Sequence, residues 1–91
     1  MFLKDPQALL DYRVDWGAAL GPDAQIAASN WGVRPDEPGG LIVSSSGLAG
    51  AVASVRLGGG IAGHVYVVGN RVTLSDGVID ERSLTVRVED R

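Results

Sequence analysis

Two alternating runs near the C-terminal end constrain this chain more than anything else in it. Residues 64–74 place Tyr66, Val68, Val72 and Leu74 on one face, and residues 79–88 place Leu84, Val86 and Val88 on one face. A period of two belongs to strands, whose side chains point alternately to opposite sides. Ser75, Asp76, Gly77 and Val78 separate the runs, so the pair reads as a β-hairpin. The loop length follows from the faces. A two-residue turn at Asp76-Gly77 would put Val72 opposite Glu81 and throw the apolar sets to opposite sides. A three-residue loop, 75–77, sets Tyr66 opposite Val86, Val68 opposite Leu84 and His64 opposite Val88. It also faces Arg71 with Glu81, a favourable cross-strand pair. The three-residue loop is therefore predicted, with Gly77 at its left-handed position. Tyr66, Val68, Val72, Leu84, Val86 and Val88 become the predicted core, with Trp31 against them.

The rest of the chain reads the same way. Leu10, Tyr12, Val14 and Trp16 alternate with Asp11, Arg13 and Asp15, one apolar face and one charged. Residues 17–23 carry two glycines and Pro22 and read as a loop. A second strand spans about residues 24–33. Ile26 and Ala28 are even-numbered but Trp31 and Val33 are odd, so a bulge is predicted near Ala28, Ser29 or Asn30. Pro35 and Pro38 make residues 34–40 an exposed loop. A short strand at 41–45 is predicted to break at Gly47. Ala49, Ala51, Ala53, Val55 and Leu57 then mark a further strand, whose small inner residues call for another strand or a bulky Trp packed close. Asp5 before Pro6 could cap a short helical turn at residues 8–10. The sum is an all-β, small antiparallel β-sandwich of about six to seven strands. One domain is expected over 1–91, with an N-terminal arm at 1–7 and a C-terminal tail at 89–91. A globular chain of 91 residues has a radius of gyration of about 12 Å.

Composition narrows the function classes. Net charge is −3, which argues against nucleic-acid binding by phosphate neutralisation. No apolar run approaches the roughly 18 residues of a membrane span, and the first residues lack a signal-peptide pattern. The absence of Cys removes disulfides, thiolate ligands and Cys nucleophiles. Gly58-Gly59-Gly60-Ile61-Ala62-Gly63 spells G-x-G-x-x-G, but a dinucleotide site needs a helix after it. Here β-forming Val65, Tyr66, Val67 and Val68 follow, so the glycines read as a flexible connection. His64 is the sole histidine, and no G-x-S-x-G elbow marks Ser83 as a nucleophile with Asp80 as its acid. Zinc is excluded for want of ligands. Asp5, Asp11, Asp15 and Asp23 lack a calcium-loop spacing and read as solvated surface. Asp80 and Glu81 are expected to pair across strands with Arg71 and Arg82. Trp16 and Trp31 read as core, one or both at its rim. No catalytic residue, cofactor or metal is assigned.

A family pattern runs through these residues. It opens with Lys4-Asp5-Pro6, Ala8, Leu10-Asp11-Tyr12 and Asp15-Trp16, followed by Ile26, Ser29, Trp31 and Val33. It continues through Gly59-Gly60, Ala62-Gly63, Tyr66, Val68, Asn70 and Val72-Thr73. It ends with Gly77, Asp80-Glu81-Arg82-Ser83-Leu84, Val86 and Val88. The chain resembles the phage fibre–tail adaptor proteins of tailed bacteriophages over about residues 4–88, departing in its middle, where 41–53 is rich in Ser, Gly and Ala. The resemblance implies an immunoglobulin-like β fold and a non-enzymatic virion component, made in the bacterial cytoplasm and present in several copies per particle. Its partners would be other virion proteins of the tail, connector, fibre or capsid. A capsid decoration protein is the alternative. A small ligand-binding module or hydrolase around His64 is a second one.

The hairpin register also names a surface. With Tyr66, Val68 and Leu84 inward, Val65 and Val67 point outward beside Arg87 and Thr85. Val65, Val67, Thr85 and Arg87 are the candidate protein interface, an apolar pair with a polar rim.

Overall fold

The computed structural model describes residues 1–90. Its strands are β1 (Phe2–Lys4), β2 (Leu10–Asp15), β3 (Ile26–Arg34), β4 (Leu41–Ala49), β5 (Val52–Gly59), β6 (Val65–Leu74) and β7 (Ile79–Val88). They form two sheets, ordered β1-β7-β6-β3 and β2-β5-β4. The hairpins β4–β5 and β6–β7 are antiparallel, and β1 lies parallel to β7. This β-sandwich is the expected fold class. The order β2-β5-β4 against β7-β6-β3 is that of the B-E-D and G-F-C strands of an immunoglobulin-type sandwich, with the first strand moved beside the last. Phe2–Lys4, placed by the sequence in an arm, is therefore a paired strand. Glu89 of the expected tail donates its N–H to the Lys4 carbonyl at 2.9 Å, while Arg91 lies outside the described residues.

The β6–β7 register is the expected one. Tyr66 pairs with Val86, Val68 with Leu84 and Arg71 with Glu81. Leu74 N–H donates to the Val78 carbonyl at 2.8 Å across the three-residue loop, and Gly77 has φ +90. All six predicted core residues of this hairpin are buried, and Trp31 packs against them from β3. Ala53 packs with Trp16, so the small inner residue does meet a bulky Trp.

Elsewhere the chain corrects the sequence reading. The β3 bulge falls at Ala27, one residue before the expected stretch. It turns Ile26, Ser29, Trp31 and Val33 inward and leaves Ala28 exposed. Gly47 does not break its strand. It keeps the ladder by pairing with Ser54, and β4 runs on to Ala49 before turning at Gly50 and Ala51. A bulge at Ser44 shifts the β4 register on the way. The glycine run is a packed bend rather than a flexible connection. Gly58 and Gly59 end β5, and Gly60 takes φ +102 where a Cβ would come within 2.6 Å of the Val88 side chain. The loop after β2 holds a short 3-10 turn, Gly17–Ala19. Residues 5–8 make a single turn, with Ala8 N–H bonded to the Asp5 carbonyl, and Leu10 already belongs to β2. The radius of gyration is 14.0 Å and the extents 45 × 20 × 19 Å, longer than the compact expectation. Ten-residue strands span about 33 Å and fit only along the longest dimension.

One polar side chain is enclosed in the core. Asn70 of β6 accepts a hydrogen bond from Trp16 Nε1 at 2.9 Å and donates to Ser29 Oγ at 2.9 Å and the Asn30 carbonyl at 3.2 Å. Asn70→Ala would strand the buried indole N–H and empty part of the core. It should cost about 1–3 kcal/mol, or a midpoint drop on the order of 4–20 °C for a domain this size; thermal unfolding by circular dichroism measures it. Gly77→Val should destabilise the hairpin by about 1–2 kcal/mol, read in the same assay. An unshifted midpoint would reject the left-handed loop position.

Candidate docking surface

The outer face of the four-stranded sheet carries the candidate residues. Val65 pairs with Arg87 and Val67 with Thr85, which puts these four on one face. Val65 is 45% exposed, whereas Val67 is half-buried between its neighbours. The structure adds two residues. Leu3 of β1 pairs with Arg87 and is 46% exposed, and Arg34 of β3 pairs with Val67. Across the sheet Arg87 stands between Leu3 and Val65, and Arg34 borders Val67 on the other side, so the apolar centre is the pair Val65 and Val67. Arg87 Nε is neutralised by Glu89 at 2.8 Å. Next along the face Gly69 pairs with Gly32, a strip without side chains, bordered by the carboxylate of Glu81. Leu3 was beyond sequence reasoning, because three residues carry no register. Gly32 was within reach, since the β3 bulge fixes which residues face outward.

The charges of β7 do not pair as expected. Arg71 and Glu81 are opposite in register, but among the described residues no ion pair joins them. Arg82 lies over the Trp16 ring at 4.6 Å and donates to the Asp15 carbonyl at 3.3 Å. It shares the inward phase of Leu84, so its cation covers the end of the core instead of meeting a carboxylate. On the other sheet Asp11 takes a bidentate bond from Arg56, at 2.7 and 3.1 Å, directly across β2 and β5. That bond is the chief reason its carboxyl sits below the usual range.

His64 belongs to a different cluster, at the end of the sandwich. Glu37, in the loop after the cis Arg34–Pro35 bond, accepts from the Tyr66 hydroxyl at 2.6 Å and faces His64 Nδ1 at 2.8 Å. The Tyr66 oxygen in turn accepts from Ile61 N–H at 3.1 Å. Glu37 was missed in the sequence because its loop has no periodicity to read. Ser83 and Asp80 are not near His64. Ser83 pairs with Gly69 and Asp80 with Val72, well along the strand. The cluster therefore clips two loops together, and nothing in it aligns a nucleophile with the imidazole. Lys4 does similar work at the same end, where it pairs with Val88. Its buried ammonium donates to the carbonyls of Asp5 and Gly59, and burial lowers its pKa. Among the described residues no cluster of three metal-ligating side chains occurs, and no helix is long and apolar enough to cross a membrane.

The fold defines a class: a small all-β sandwich domain of seven strands in two sheets. Residues 4–87 match the family described as podophage GP4 fiber-tail adaptor protein gp77, and the chain belongs to that family. No curated protein matched the chain. Family membership brings a structural role as a phage fibre–tail adaptor and a place in the virion.

The Glu37 cluster makes stability depend on acid. The hydrogen bond from Tyr66, then that from His64, holds the Glu37 carboxyl below its ordinary value. A carboxyl depressed by folding stabilises fully above its unfolded pKa, about 4.3, and loses that contribution as pH falls through the folded value. Asp11 adds to the same decline. Thermal midpoints measured from pH 7 to pH 3 should therefore fall less steeply for Glu37→Gln than for the parent. Identical slopes would show that the cluster is not formed in solution.

Proposed function

We propose that this domain is a non-catalytic adaptor of the virion that docks through the outer face of β6 and β7. Val65, Val67, Thr85 and Arg87 form the centre of that contact, extended by Leu3 and Arg34. The partner is a tail, connector or fibre chain presenting a small apolar surface with a polar margin. Several copies per particle would each make the same contact. The observation that carries this reading is the apolar pair Val65 and Val67 on an outward sheet face, in a chain whose family is a fibre–tail adaptor. Strand residues on a solvated face are usually polar, and adjacent apolar groups with a polar rim are how interaction sites differ from scattered surface valines. The fibre–tail junction is preferred to a capsid cementing role because the family description names it. His64 has no part in this function beyond holding Glu37.

Val67→Glu places a charge on this face beside Val65. The isolated domain should stay folded, with a stability change below about 1 kcal/mol. Its incorporation into particles should fall sharply, measured by quantifying the chain in purified virions. Normal incorporation would remove this face from the contact.

A further inference from the structure

A second surface lies on another flank of the sandwich, where the edges of β3 and β4 run side by side. Four strands are edges, and they are protected unequally. β1 is three residues long, and β2 carries Asp11, Arg13 and Asp15. Short length and charge are the usual defences of an unpaired edge. β4 has neither. It is nine residues long, contains no charged residue and no proline, and is exposed from Ser44 to Ala49. Its bulge at Ser44 leaves residues 45–49 as a regular stretch paired on one side only, to β5.

The two sheets also part at this flank. Beyond the bulge Ser46 and Leu48 pair with Val55 and Ala53, so they share the inward phase, yet both are exposed. A groove opens there, lined by Ala28, Ser29, Trp31, Ser46, Gly47 and Leu48. Its lining bears no charge. Trp31 keeps its indole Nε1 buried with no hydrogen-bond partner. A buried donor without an acceptor is costly and rare.

We infer that the β4 edge and this groove together receive an extended, uncharged segment of another virion protein, added as a strand beside residues 45–49. Alternate backbone groups of the segment would pair with β4, the usual source of affinity in strand addition. An apolar side chain would enter the groove against Trp31 and Leu48. The uncharged lining excludes an acidic or basic tail, whose charge would be desolvated without a partner. A second copy of this chain fits less well. A β4 already backed by β5 cannot enter the groove, whereas a single extended segment can. The surface is separate from the β6–β7 face. A chain that bridges two components needs two such surfaces.

The test uses assembled particles. Leu48 is replaced by a photo-crosslinking benzoylphenylalanine, virions are irradiated, and adducts are mapped by mass spectrometry. In parallel, Ser46→Lys puts a charge at the mouth of the groove, with its thermal midpoint checked first. The expected results are an adduct within an uncharged stretch of a different virion chain, and at least a tenfold loss of Ser46→Lys from particles at an unchanged midpoint. Adducts confined to other copies of this chain, no adduct, or normal incorporation of Ser46→Lys would overturn the proposal. Val67→Glu, assayed alone, reports on the other face, so the two readings fail separately.

Discussion

Asn70 is the junction on which the two sheets depend. It is fully buried, and an amide in that position is costly unless its groups are bonded. Both are. Its oxygen takes the N–H of Trp16, at the end of β2, and its nitrogen reaches Ser29 and the Asn30 carbonyl on β3. One side chain on β6 therefore fixes the opposite sheet through Trp16 and the neighbouring strand through Ser29. An immunoglobulin domain often ties the corresponding strands with a disulfide. This chain has no cysteine and uses a hydrogen bond. Such a bond tolerates one geometry and so helps select a single packing, where apolar contacts alone would allow several.

The core divides around that junction. Leu41, Val55 and Leu57 face Tyr66, Val68, Leu84, Val86 and Val88 in one half, while Val14, Trp16 and Ala53 face Val72 and Leu74 in the other. Trp31 touches both. The ends are closed by polar devices: Arg82 over Trp16, Lys4 on the Gly59 carbonyl and Glu37 on Tyr66. The side between β3 and β4 is left open. The molecule thus places these polar closures at the ends of the sandwich.

Much of this was readable in the sequence, and the reason is geometric. In β6 and β7 the alternation is long enough to define both faces, and the two faces can meet in only one register. The bulge in β3 was legible as a change of phase, but not to the residue, because Ala27, Ala28 and Ser29 are too alike to mark it. The middle was misread where Gly47 resembles a breaker yet sits within a ladder that β5 enforces. Asn70 shares the inward phase of Tyr66 and Val72, so a polar residue in the core was visible in principle. Its partner was not, because Trp16 is 54 residues away. Val65 and Val67 followed from register, whereas Leu3 needed a parallel strand too short to leave a pattern.

The parallel pairing of β1 with β7 has a mechanical consequence. Phe2 lies beside Val86 and Lys4 beside Val88, so the start of the first strand and the end of the last point in opposite directions along one axis. Tension between those two points would slide the strands past each other. The bonds between them, with Glu89 to the Lys4 carbonyl and Lys4 to Gly59, would then share the load together. An antiparallel hairpin pulled at its open end instead loses its bonds one after another. Along the line that joins its two ends the domain therefore yields only when these bonds break together.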